Sequence, residues 1–479
     1  MRDSDDDYRS PLATRYATPA MVANFAERRR VVLWRRLWIA LASAQRELGL
    51  SIAPEQIEAM RAHVEEVDLE RVSVLEAKLR HDVMAHVQHF GELVGPEAEK
   101  IIHLGATSCF VADNAELVMM RDGLDLLMDR LVAILGQLRD FALEHRDLPT
   151  LAYTHFQPAQ LTTVGKRACL WAQDLALDLE TLAGLRERIP FRGAKGTTGT
   201  QASFLALFDG DHAKVRELDR RVAESMGFAR TIPVSGQTYT RKVDTWVVQA
   251  LADVCASASK LGVDIRLLSN KREVEEPFGR DQVGSSAMAY KRNPMRCERI
   301  CGLARFVHGL ASNPLQTHAN QWFERTLDDS ANRRLAITEA FLATDGVLNL
   351  VADVTSGLVV NPAIIAANLA DELPFMATEN VIMAGVRAGG SRQHLHELIR
   401  QHSHAAAGRM KAEGVPNDLV SRMQADPELG PFVTAAELDP ARYVGRAPEQ
   451  VGEFVSEVLD PMLETHADRR GRFVSRLRV

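Results

Sequence analysis

The sequence predicts an all-α protein. Three observations carry this: apolar residues recur in steps of three and four along four stretches, alternating apolar strands are scarce, and no proline falls between Thr240 and Asn270, the longest stripe. Leu33, Leu37, Leu41, Ala44 and Leu48 form the first stripe, with Gly49 as its stop. The second follows Asp113, a fitting N-cap, through Leu117, Met120, Leu124, Leu127, Leu131, Leu135 and Leu138. Leu175, Leu179, Leu182 and Leu185 make the third. The fourth runs through Val243, Val247, Leu251, Val254, Ala258, Leu261, Ile265 and Leu268, the alternation of a helix packed lengthwise in a bundle. Stripes this long exceed the needs of one thin bundle, so these helices are expected to pack against other subunits as well.

A chain of 479 residues implies two or three domains. The punctuation divides it into residues 1–107, 108–360 with the long helices, and 361–479, where short helices alternate with Gly and Pro. Hydrophobic residues at 46% and charged residues at 25% exclude a mainly disordered chain. No apolar run reaches the length of a membrane span, and the acidic start MRDSDDDYRS lacks the basic and apolar regions of a signal peptide, so a cytoplasmic protein is expected. A net charge of −7 argues against a chain-wide grip on nucleic acid. Arg outnumbers Lys by 47 to 10, which codon bias explains unless individual arginines prove well placed. Five cysteines without a CxxC pair suit free thiols in a reducing compartment better than disulfides or a zinc ribbon.

Three polar stretches interrupt the helices and are the functional candidates: Leu104–Ser108, Tyr153–Pro158 and Gly284–Pro294. In the third, Gly279 and Gly284 permit close backbone approach, Ser285 and Ser286 precede Lys291 and Asn293, and Pro294 suits a helix start. Loop amides and a helix N-terminus stabilise anions, so a serine there, beside a lysine, is suited to lose its proton; a flexible linker with ordinary hydroxyls fits the spacing equally. His155 is a natural general acid, although most lone histidines are merely packed or solvated. His81 lies between Arg80 and Asp82, which either tune it or form a surface pair. The Arg- and hydroxyl-rich run Gln321–Arg334 suits a phosphate or an ordinary charged helix start. The histidine groups His86 and His89, then His394, His396, His402 and His404, lack HExxH and carboxylate partners, so no metal is expected. GxSxG, Walker and GxGxxG patterns are also missing.

The run Gly-Ser-Ser-Ala-Met-Ala-Tyr-Lys-Arg-Asn-Pro at 284–294 resembles the signature loop of the fumarase/aspartase superfamily. Lys78–His86, Ile102–Ser108, Thr154–Arg167, Trp322–Arg334 and Leu373–Asn380 resemble the adenylosuccinate lyase family, in the branch that includes the animal enzymes. The resemblance runs from about Tyr8 into the C-terminal region. It implies a three-domain all-α fold and a homotetramer built on a central long-helix bundle, each active site drawing loops from three subunits. It implies non-hydrolytic elimination of fumarate from adenylosuccinate, giving AMP, and from the succinylated carboxamide ribotide of purine biosynthesis. Carried over residue by residue, Ser285 is the base and His155 the acid, oriented by Glu298; Lys291 and Asn293 hold the succinyl carboxylates, and His81 assists near the phosphate. Nucleotide contacts fall on Arg15, Tyr16, Arg80, Asp82, Thr107, Ser108, Thr154, Gln237, Arg299, Arg325, Ser330 and Arg334. No cofactor, metal, nucleic acid or membrane is implied.

The chain departs from the family loop at Ala289, where proline is usual. Alanine leaves the open loop freer, so less complete closure or slower turnover is expected from an active enzyme. Two other readings are a sister lyase acting on argininosuccinate, aspartate or malate, and a silent structural relative. Arg299, Arg325, Ser330 and Arg334 disfavour the first, since a free amino acid needs no phosphate grip; Ser285 and His155 together disfavour the second.

Overall fold

The computed structural model describes residues 7–279, 282–288 and 290–477. It is mostly helical, with two small two-stranded antiparallel sheets. The helices that position the site are α1 (Glu27–Glu47), α2 (Leu69–Leu79), α3 (Asp82–Val94), α4 (Ser108–Glu144), α5 (Val164–Arg188), α6 (Lys242–Asn270), α7 (Met295–Leu310) and α8 (Asp328–Thr355). Helices α4 to α8 pack along one another as the central bundle, and α1 lies against α4. Each of the four apolar stripes falls on one of these helices: α1, α4, α5 and α6. The residues of the fourth are all buried along the 29-residue α6.

The bundle buries charge as well as apolar surface. Arg130 of α4 meets Asp345 of α8 at 2.5 Å, both fully enclosed, and Asp345 also accepts from the Thr18 amide at 2.6 Å. This three-way junction fixes the N-terminal segment to α4 and α8. Helix α8 is interrupted by Glu339 and Asp345, so it holds no uninterrupted apolar run of membrane-span length, yet among the described residues it is the one helix apolar enough overall to be a candidate span. It passes on length and composition, but 83% of that window is buried inside the protein, where its apolar residues belong to the core.

Two expectations are corrected. Asp113 does not cap α4, which begins five residues earlier with Thr107 in the N-cap position. Asp113 is 2% exposed and pairs with Arg241, so a tertiary ion pair took the residue that local capping rules claimed. The stretch around His155 is a β-hairpin, β1 (Pro149–Thr154) and β2 (Gln157–Thr163), rather than an irregular loop. The second sheet pairs β3 (Val274–Glu275) with β4 (Val359–Val360).

Between α1 and α3 two histidines, His86 buried and His103 half-buried, are held neutral. His86 packs edge-on to Trp34 at 5.1 Å, and His103 Nδ1 accepts from Trp38 Nε1 at 2.8 Å. Burial pushes both down to about 4, helped at His86 by Arg35 and at His103 by His81. A depressed histidine binds fewer protons folded than unfolded, so its stability is complete above 6.5 and drains away as pH falls towards 4. The unfolding free energy is therefore expected to decline through that window by up to about 3 kcal/mol per histidine, read as a falling melting temperature. A flat profile between pH 6.5 and 4 would overturn this account.

Candidate active site

Nine of the sequence candidates line one cleft of about 880 Å³. Arg80, His81 and Asp82 come from the α2–α3 junction, Thr107 and Ser108 from the start of α4, Gln237 from the segment before α6, Arg325 from the segment before α8, and Ser330 and Arg334 from the start of α8. The α2–α3 turn is made by Arg80 in the left-handed region at φ +52. His81 then sits in the N-cap position of α3 and accepts from the Met84 amide through Nδ1 at 3.3 Å, which leaves Nε2 as the protonated nitrogen of the neutral ring. Arg334 Nη2 lies 3.7 Å from Asp82, tying α8 to α3 across the cleft. Gln237 Nε2 reaches Thr107 Oγ1 at 3.4 Å, and the Gln237 amide donates to Glu324 O at 2.9 Å. Gly236 is required there, because a Cβ would stand 2.5 Å from the same carbonyl. Three arginines, three hydroxyls and the N-terminus of a long helix suit a phosphate.

Beneath these groups is a floor of buried charge that the sequence reading missed. Arg241 spans Asp113 and Asp329, and Arg333 spans Asp244 and Glu116. Asp329 also lies 3.8 Å from Arg325, so the floor supports a cleft arginine directly. The available signal was an acid on an apolar stripe, Asp113 one turn before Leu117.

The signature loop stands elsewhere. Lys291, Asn293 and Glu298 line a second cleft of about 1080 Å³ with Arg266 and Arg272. Ser285 Oγ accepts from the amides of Ala287 and Met288 at 3.3 and 3.2 Å, contacts that favour the deprotonated oxygen. Asn293 Nδ2 donates to Gly284 O at 3.0 Å, and a Cβ on Gly284 would lie 2.1 Å from Lys291 O, so only glycine lets the loop fold on itself. Ala289 lies outside the described residues.

His155 lines neither cleft. With Phe156 it forms the two-residue turn between Thr154 and Gln157, at φ +53 and +57, the signs of a type I′ turn. Such turns favour Asn-Gly, so two bulkier residues hold the backbone in a rarely populated region and present the imidazole exposed. Thr154 is exposed beside it. Arg299 follows Glu298 on α7, half-buried. Tyr16 packs on Gly346 of α8, with its Cβ 3.0 Å from where a Cβ there would be. Ser330 is sixteen residues earlier on that helix, about 24 Å away. Arg15 and Tyr16 are thus out of reach of the cleft in their own chain.

A lengthwise helix bundle, a cleft at helix starts and a Gly-Ser-Ser loop define a lyase of the fumarase/aspartase superfamily, and residues 13–309 match the lyase family. Residues 374–454 match the adenylosuccinate lyase C-terminus. Adenylosuccinate lyase of Saccharomyces cerevisiae is 53% identical over 96% of both chains, and that of Schistosoma mansoni 48% identical over 97% of this chain and 98% of its own. The chain belongs to the adenylosuccinate lyase family. Among solved structures, 3-carboxy-cis,cis-muconate lactonizing enzyme from Pseudomonas putida superposes with a TM-score of 0.81 at 25% identity, over 94% of this chain and 99% of that one.

Proposed function

We propose that the chain cleaves adenylosuccinate to AMP and fumarate, and the succinylated carboxamide ribotide in the same way, as a cytoplasmic enzyme of purine biosynthesis. Ser285 takes the proton from the carbon beside a carboxylate, the C–N bond breaks as the new double bond forms, and His155 gives its proton to the departing nitrogen. Lys291 and Asn293 hold the carboxylates while charge builds on the intermediate, and Glu298 orients His155. The nine-residue cleft takes the nucleotide phosphate and ribose side, with His81 beside the phosphate and Arg15, Tyr16, Thr154 and Arg299 completing the contacts. Five free thiols, all buried, fit a reducing compartment.

The observation that carries the reading is the dispersal of these parts. Base loop, acid hairpin and phosphate cleft occupy three separate places on one chain, each exposed towards its surroundings. A homotetramer that brings the three places together from three subunits makes one complete site of them. Exposed apolar residues on the bundle helices, among them Leu170 and Leu177 of α5, Val263 and Leu267 of α6 and Leu335 of α8, supply surface for that assembly.

The test is to incubate purified protein with adenylosuccinate, without added metal, and separate the products by chromatography, with argininosuccinate in parallel. AMP and fumarate in equal amounts are expected, and argininosuccinate should remain intact. Turnover of argininosuccinate alone would sink the assignment. A folded tetramer that binds AMP but forms no product, and gains activity on Ala289→Pro, would place the defect in the loop.

A further inference from the structure

We infer that Glu276 is a positioning residue for the Ser285 loop, its buried carboxylate fastening the loop's entry to its exit. This rests on the reading of Ser285 as the base.

Glu276 follows β3, and the loop re-enters regular structure at α7, whose N-cap position is Pro294. Proline has no side-chain acceptor, and no cap bond comes from that residue. The first-turn amides of α7 are served instead from 20 and 21 residues upstream. Glu276 Oε1 accepts from the Arg296 amide at 3.1 Å, and Oε2 from the Cys297 amide at 2.9 Å. The Arg296 guanidinium lies 3.7 Å from the same carboxylate, donates to the Pro277 carbonyl, and pairs through Nε with Asp353 at 2.8 Å. Both ends of the loop therefore meet at one carboxylate that is only 6% exposed.

Within this closed base the loop folds on itself through Asn293 and Gly284, while Ser286 to Met288 stand exposed. Among the described residues, the hydrogen bonds that hold the Ser285 segment to the rigid bundle are at its two ends. Holding those ends together removes most of the loop's freedom and fixes where it projects. A buried carboxylate is costly unless paired and hydrogen-bonded, and here both oxygens are spent on the start of α7, the helix that also carries Glu298 and Arg299. One group thus sets the relative placement of the base loop and of two further candidates.

The substitution Glu276→Gln keeps the size but offers one acceptor and turns an NH₂ towards the second amide. In the full-length tetramer, kcat is expected to fall about 10- to 100-fold, the effect of a misplacement of about 1 Å. AMP affinity should stay within about twofold, because the phosphate cleft lies on other elements and AMP lacks the succinyl group that Lys291 and Asn293 hold. Trypsin should cut faster after Lys291 and Arg292. Glu276→Asp, which keeps both oxygens one methylene short, should recover part of kcat, and it carries the same test should Glu276→Gln fold poorly. Normal kcat in Glu276→Gln, or a kcat loss matched by lost AMP affinity, would overturn the inference. Ser285→Ala separates the two claims. If that variant still turns over, the reading of the base fails; if it is dead while Glu276→Gln is normal, only the clamp fails.

Discussion

Mixing two dead proteins is expected to restore activity. Ser285→Ala and His155→Gln should each lower turnover about 10²- to 10⁴-fold, the span of a lost general acid or base, while leaving AMP binding in place. If every site took both groups from one chain, refolding the two variants together would give nothing back. The structure separates them: Ser285 is in a loop rooted at β3 and α7, and His155 is on a hairpin tip that lines neither cleft. With acid and base drawn from different subunits, random mixing gives about a quarter of the sites both intact residues. Recovery of that fraction, measured as fumarate release from refolded mixtures, would establish the composite site. Activity no higher than that of either parent would mean that one chain supplies both groups, or that one of the two roles is wrong.

How far the sequence reached depended on whether a feature was periodic or tertiary. The stripe on α6 specified its helix nearly to the residue, because burial repeats with the helical turn and no proline breaks it. The words around His81, Thr107, Ser285 and Arg325 marked candidate segments, and residues from three of them line one cleft. Their assembly into one cleft and two outlying places was not legible, since that depends on how α3, α4 and α8 converge. Asp113 shows the limit well: by local rules it is an N-cap, and only the presence of Arg241, 128 positions away, makes it a buried partner. The His155 turn lacked the Asn-Gly signal, so its hairpin passed unseen. Glu276 also escaped, because its cap bonds cross a loop whose length hides the pairing.

Removing the guanidinium of Arg241 tests whether the floor of the cleft holds it up. Arg241 donates through Nε and Nη2 to Asp329 at 2.8 and 2.6 Å, and through Nη1 and Nη2 to Asp113 at 3.3 and 3.1 Å, with its plane near the Tyr239 ring at 4.6 Å. Burial alone would raise the proton affinity of Asp113; Arg241 and then Arg333 reverse it, leaving the carboxyl below its ordinary range. Arg241→Met strands two enclosed carboxylates and is expected to cost about 3–5 kcal/mol of stability, read as a lower denaturant midpoint. AMP binding should weaken as well, by about tenfold or more, for Asp329 also steadies Arg325 and Asp113 anchors the helix whose first turn carries Ser108. Replacing Asp113 and Asp329 by leucine in the same protein should recover stability, because no charge is then left unpaired, but should leave AMP binding weak. If the triple variant bound AMP normally, the buried charges would serve packing alone, and the cleft arginines would hold their places without them.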